Sequence, residues 1–304
     1  MIDQIFVGKT YAPIRYQVGT EKIREYAGAT LDRSPHHWNG EFAPPMFAVV
    51  YSARLFLDML FDPDLAMELG RIVHGEQSFE FLGLARPGDE IVSRGRVAKI
   101  FEKRGNDFVV FESSSTRQGG EELLRARWTF VVRGGGVDPA PLAEAKTDLA
   151  RDWLVPGLPP PDLAGDPTAR RRAAEVKVGA RFEHQRFVDR YRPILYAGAA
   201  GDFNPIHIDP AYGREVGLGG NILQGLCTMA FAAQAASEFA GDPRALEQLR
   251  VRFAAPVRPG DTIHVHGEVS AVEGSRARCA LHADNQHGAP VLSRCEAVLA
   301  LAAS

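Results

Sequence analysis

The densest cluster of reactive side chains in this sequence is Asp202-Phe203-Asn204-Pro205-Ile206-His207-Ile208-Asp209-Pro210. Asp202 and His207 stand five residues apart in a segment that follows Gly201 and is stiffened by two prolines. Fixed proline φ angles let such a loop turn both side chains into one pocket. An aspartate facing a histidine can hold one water and share its protons, which suits adding or removing water. Burial would raise the carboxyl pKa and lower that of the imidazole, leaving each able to exchange a proton near neutrality. Eighteen residues beyond His207 comes Gly225, at the expected start of an apolar helix. Its N–H is among the first four that find no partner inside the helix. Aimed at a carbonyl oxygen, with the helix dipole behind it, that N–H stabilises developing negative charge. Glycine also lets a substrate approach the backbone closely. The combination suits chemistry alpha and beta to a thioester carbonyl. On spacing alone a plainer reading stays open, with Asp202 capping a helix and Asn204-Pro205 opening a turn.

The elements that must position these residues occur twice. YAGATLDRSPHH begins at Tyr26 and YAGAAGDFNPIH at Tyr196, an offset of 170; RPGDEI at 86–91 and RPGDTI at 258–263 are offset by 172. Asp32 thereby matches Asp202, Pro35 matches Pro205 and His37 matches His207. Each copy reads as a strand and short helix, a loop, an apolar helix and three or four strands. The apolar helices are expected near 45–61 and 224–239, the second Ala-rich almost all round and so buried on most faces. Alternating runs at 90–105, 107–120 and 122–133, then 262–274, 277–288 and 292–302, are separated by glycine turns, as antiparallel hairpins require. The fold class is α+β: one buried helix wrapped by a curved antiparallel sheet, made twice, over 1–133 and 176–304. Residues 134–175, with a glycine run and Pro159-Pro160-Pro161, read as a surface connection carrying one helical turn near 142–153. Arg170, Arg171 and Arg172 at its end read as a solvated charge run rather than a phosphate clamp.

The segment from Tyr196 to Pro210, followed by Gly217 and Ile222-Leu-Gln-Gly-Leu-Cys-Thr228, resembles the MaoC-like (R)-specific enoyl-CoA hydratases. The likeness extends through Phe253-Ala-Ala-Pro-Val-Arg-Pro-Gly-Asp-Thr-Ile263. The first half, with Ala43-Pro-Pro-Met-Phe47 and the earlier RPGD, resembles the N-terminal domain of two-domain members. The resemblance implies a double hotdog. It implies that Asp202 and His207 hold and activate the catalytic water, that Asn204 supports the site, and that Gly225 N–H binds the thioester oxygen. Water would add to C3 of a trans-2-enoyl thioester while a proton reaches C2, and dehydration would run the same path in reverse. The implied substrate carrier is coenzyme A or acyl carrier protein, with no metal or redox cofactor. Two departures stand out. The family's Pro-Ile-x-His-Gly is here Asn221-Ile222-Leu223-Gln224-Gly225, and the first copy has Leu31 and Ser34 where the second has Gly201 and Asn204. The first copy is therefore expected to be non-catalytic and to shape the acyl pocket. A hotdog thioesterase and a non-catalytic acyl-thioester-binding subunit are the alternatives, since one fold hosts several functions.

Other groups carry less. His264 and His266 share one strand face and could ligate a metal, but no third ligand is evident in the sequence, so an exposed face or interface is the reading. Cys227 reads as a buried, inert thiol in an apolar helix, and His36 and His37 beside Trp38 read as loop packing. The 304 residues carry 35 basic and 38 acidic side chains, a net −3 that gives no field for nucleic acid. Three cysteines without CxxC spacing, no basic-then-apolar leader and no apolar run near 20 residues lead to the expectation of a cytoplasmic protein without a membrane partner. Its expected partner is the acyl thioester, with a homodimer possible.

Overall fold

In Arg276–Asn285, Ala277, Cys279, Leu281 and Ala283 are buried, while Arg276, Arg278, Ala280 and His282 between them are exposed. This period of two puts one face of a strand on a core and the other in water. The same alternation runs through much of Thr262–Glu273 and Glu122–Val132. The computed structural model describes residues 2–134 and 170–303. Most of the connection expected at 134–175, including the turn near 142–153, lies outside the described residues. In the first copy the strands are β1 (Ile14–Gln17), β2 (Ile72–Phe81), β3 (Glu90–Lys103), β4 (Asn106–Arg117) and β5 (Glu122–Val132). In the second they are β6 (Arg181–Phe187), β7 (Leu246–Phe253), β8 (Thr262–Glu273), β9 (Arg276–Asn285) and β10 (Pro290–Ala300).

The ten strands form one antiparallel sheet, in the order β1-β3-β4-β5-β2-β7-β10-β9-β8-β6. Read outward from the middle, both halves follow the same path. The seam is β2 against β7, where Ser78 faces Arg250. Those two residues are offset by 172, as the RPGD copies are, so a pseudo-two-fold axis passes between them. Continuous pairing through the seam gives the two copies a common sheet. This is the double hotdog that the resemblance implies.

Each half wraps one helix. These are α3 (Ala48–Leu60) in the first copy and α7 (Gly225–Ala240) in the second; α1 (Thr20–Ala29), α2 (Pro35–Trp38), α4 (Arg192–Ala200), α5 (Pro205–Ile208) and α6 (Pro210–Glu215) complete the order. In α7 every residue except Gly225 and Glu238 is buried, as its alanine-rich composition requires. α3 starts later than its apolar pattern suggests, because Pro44 and Pro45 lead into a 3-10 turn over Pro45–Phe47. Helices α1 and α4 meet near the axis, with the buried rings of Tyr26 and Tyr196 5.8 Å apart. Arg192, buried and paired with Asp189 at 2.6 Å, donates to the Gly28 and Ala29 carbonyls at 2.8 and 3.0 Å. Its counterpart Lys22 donates to the Gly198 carbonyl at 3.3 Å. Each copy thus satisfies helix-end carbonyls of the other with a cation, the favourable sign for a C-terminus. Among the described residues no helix is long and apolar enough to cross a membrane.

His74 on β2 sits at the seam, its ring 4.8 Å from those of Phe130 and Phe253, with Nε2 3.1 Å from Gln77 Oε1. Burial pushes its imidazole down to about 4 from 6.5. A histidine held neutral in the fold contributes stability above its unfolded pKa, lost as pH falls through its folded value. Unfolding free energy should therefore drop between pH 6.5 and about 4. His74→Leu, which copies Leu246 at the equivalent position, should make that drop smaller in urea unfolding; an unchanged drop would contradict the assignment.

Candidate active site

Gly201 ends α4 in the left-handed conformation at φ 79°, turning the chain into the loop that carries Asp202. One carboxylate oxygen of Asp202 accepts the Asn204 N–H at 3.3 Å. Asn204 in turn caps α5, its side-chain oxygen accepting the Ile206 N–H at 3.2 Å, and Pro205 follows where a missing N–H costs nothing. The cap of α5 is Asn204 and not Asp202, so the plainer reading holds for the turn alone. Oδ1 of Asp202 does the turn work, and Oδ2 is left facing His207 Nε2 at 3.7 Å. That separation is too long for a direct hydrogen bond, yet one water oxygen at ~2.8 Å can bridge both atoms.

The orientation of His207 is set from the other side. Its Nδ1–H donates to the Ile222 carbonyl at 2.9 Å, so in the neutral ring Nε2 carries the lone pair that faces Asp202. The side chain is 9 % exposed, and burial lowers its pKa from 6.5 against the opposing pull of the Asp202 carboxylate. Asp202 is half-buried.

The residues that depart from the family's pattern before α7 turn out to be braces. Gln224, 1 % exposed, donates from Nε2 to the Pro193 carbonyl at 3.0 Å and to the Asp202 carbonyl at 3.2 Å. Asn221 donates to the His207 carbonyl at 3.0 Å, and the Ile222 N–H donates to the Ile206 carbonyl at 3.0 Å. Residues 221–224 are thus stitched to 202–207, which fixes the first N–H groups of α7 beside the pair. Gly225 is the first residue of α7, where its N–H has no acceptor within the helix. A Cβ there would stand 2.9 Å from the Phe253 ring, so glycine is demanded by the close approach of that side chain.

The first copy repeats the pair. His37 Nε2 lies 3.7 Å from Asp32 Oδ2, and His37 Nδ1–H donates to the Phe42 carbonyl at 3.0 Å. Leu31 holds φ 58° where Gly201 holds 79°, and the Ser34 N–H donates to Asp32 at 2.9 Å, so the turn is kept, while the side-chain cap that Asn204 gives its helix has no counterpart at Ser34. This copy is more enclosed, with His37 at 0 % and Asp32 at 8 % exposure. The difference lies at the helix start. The Ala43 N–H bonds Ala85 as the Leu223 N–H bonds Val257, which aligns Pro44 with Gln224 and Pro45 with Gly225. Proline has no N–H, so the first copy lacks the donor that Gly225 offers.

The remaining candidates stay outside this site. Cys227 is fully buried in α7, and burial pushes its thiol up to about 12. His36 pairs with Glu41 at 2.6 Å and stacks on Phe42, while Trp38 Nε1–H donates to the Asp32 carbonyl at 2.8 Å; both pack the loop. Arg170 pairs with Asp242 at 3.1 Å and Arg171 lies over the Phe239 ring, so neither points to the pair.

Residues 172–288 match the family described as MaoC like domain, and residues 5–125 match the FAS1-like dehydratase domain region. A UPF0336 protein of Saccharopolyspora erythraea is 38% identical over 149 residues, covering 45% of this chain and 96% of that one. Among solved structures, a MaoC-like dehydratase superposes with a TM-score of 0.82 at 24% identity, covering 98% of this chain and 99% of that chain. A Mycobacterium tuberculosis protein described as a double hotdog fold superposes at 0.64 with 15% identity, covering 97% and 96%.

Gln224→Leu keeps the side-chain size but strips a buried carbonyl and a part-buried one of their donor, and an unsatisfied buried group costs about 1–3 kcal/mol. Urea unfolding should register that loss. A variant as stable as the wild type would show that water or rearrangement supplies the bonds and that Gln224 is no brace.

Proposed function

This chain belongs to the MaoC-like dehydratase family, whose members are hydratases and dehydratases, and we propose that it reversibly hydrates trans-2-enoyl thioesters to (R)-3-hydroxyacyl thioesters. The observation that carries this reading is the Asp202–His207 gap of 3.7 Å, with His207 Nδ1–H anchored and Nε2 free, beside the start of α7.

In the hydration direction, one water lies between Asp202 Oδ2 and His207 Nε2. Neutral His207 takes a proton from it as the water oxygen forms a bond to C3. The electron pair of the C2–C3 double bond moves onto the thioester oxygen, where the Gly225 N–H and the positive end of α7 stabilise it. The imidazolium is held by the Asp202 carboxylate and returns the proton to C2. The carbonyl re-forms as C2 takes the proton, so the water's O–H ends on C3 and its other hydrogen on C2, and dehydration reverses each step. Asn204 keeps the loop in shape without touching the reacting atoms. The groups in this scheme are all supplied by the chain, and coenzyme A or acyl carrier protein carries the acyl group.

We assign this chemistry to the second copy, residues 176–304, and pocket shaping to the first, residues 1–133. Pro45 supports that division, because a pair without an oxyanion donor can polarise water but cannot stabilise the enolate.

Loss of the conjugated thioester absorbance of crotonyl-CoA and of longer enoyl-CoAs tests the reading. Asp202→Asn and His207→Ala should each lose at least about 10²-fold in kcat, the low end for general acid–base groups. Because hydration needs neutral His207 and burial lowers its pKa, the rate should stay level down to 6.5 and decline only below it. Unchanged turnover in both variants, or release of free thiol without hydration, would overturn the assignment.

A further inference from the structure

Four side chains with no part in the reaction gather on the outer face of the second copy's sheet. Val265, Gly267 and Ala283 point inward, so His264 and His266 on β8 and His282 and Asp284 on β9 share the opposite face. The strand register sets His266 directly across from His282, and His264 across from Asp284. The His266 and His282 rings stack with centroids 4.9 Å apart and planes 22° apart. One ligand atom from each of His266, His282 and Asp284 lies within 4.8 Å of the other two. Glu183, the register partner of His266 on β6, reaches its Nδ1 at 3.5 Å.

We propose that His266, His282 and Asp284 form a binding site for zinc or another late first-row divalent cation. Two imidazoles and a carboxylate are borderline ligands that suit these ions, whereas magnesium and calcium favour all-oxygen shells. Bonds of about 2.0–2.2 Å bring tetrahedral ligand atoms to roughly 3.3–3.6 Å from one another. The present atoms stand farther apart than that, within 4.8 Å of one another, and with His282 exposed and the other two half-exposed the side chains have room to turn inward. Glu183 or water completes the shell, which makes the ion exchangeable.

Such an ion would act as a clasp. β6 is the edge strand of the ten-stranded sheet, with β8 and then β9 inside it. Ligands on β8 and β9, with Glu183 from β6, pin that edge where unpaired backbone would otherwise invite fraying or foreign pairing. The site lies on the face opposite α7, so it stands or falls independently of the hydration chemistry.

The test uses the tag-free full chain, stripped with a chelator and titrated with zinc in competition with a chromophoric chelator. The wild type should bind one zinc and gain thermal stability as it does so. His266→Ala and His282→Ala should each weaken binding by at least about tenfold, the lower figure for disturbing a metal site's surroundings, and abolish the thermal gain. His287→Ala, on the same half but outside the cluster, should change neither. Equal zinc affinity in the His266→Ala/His282→Ala double variant, or no zinc bound by the wild type, would overturn the proposal.

Discussion

The hydrogen bond from His207 Nδ1–H to the Ile222 carbonyl, 2.9 Å long, fixes three things at once. It selects the tautomer, so that the lone pair sits on Nε2. It sets the plane of the ring, so that Nε2 faces Asp202. It also ties the loop carrying the pair to the segment that becomes α7. Gln224 and Asn221 reinforce the same junction, each donating to a backbone carbonyl of the loop. The junction thereby fixes the distance between the Asp202–His207 pair and the start of α7.

Two-fold duplication supplies the frame around that junction. The sheet runs unbroken through β2 and β7, and helices α1 and α4 exchange cations at their ends across the axis. Near-identical loops then sit at two places in the molecule, each with an Asp–His gap of 3.7 Å. They differ in enclosure, the first pair being the more buried, and in the backbone donor at the helix start. Pro45 and Gly225 both stand at the first position of a helical turn, and Pro45 supplies no N–H there.

Much of this was legible in the sequence. The offsets of 170 and 172 exposed the duplication, and Asp202, His207 and Gly225 stood out by type and spacing. Other parts left no local pattern. The bracing role of Gln224 depends on carbonyls 31 and 22 residues away, which only the folded chain brings near. The late start of α3 follows from the geometry of Pro44-Pro45, which overrode the apolar run. The partners of His266 were hidden by a register shift between Val269 and Ala271. Without that bulge, the register near the hairpin turn would place His266 opposite Ala283, on the wrong face.

The claim at the centre of this account is that the Gly225 N–H separates an active copy from an inert one. Its most direct measurement compares kcat of Gly225→Pro with that of Gly225→Ala on the same enoyl-CoA. Both variants place a Cβ against the Phe253 ring, and only proline removes the N–H. Gln224, at φ −58° and ψ 131°, already has the extended conformation that a following proline requires. Loss of one oxyanion donor typically costs about 10²–10³ in kcat, so the proline variant should fall below the alanine variant by about that factor. Equal rates in the two variants would contradict the account.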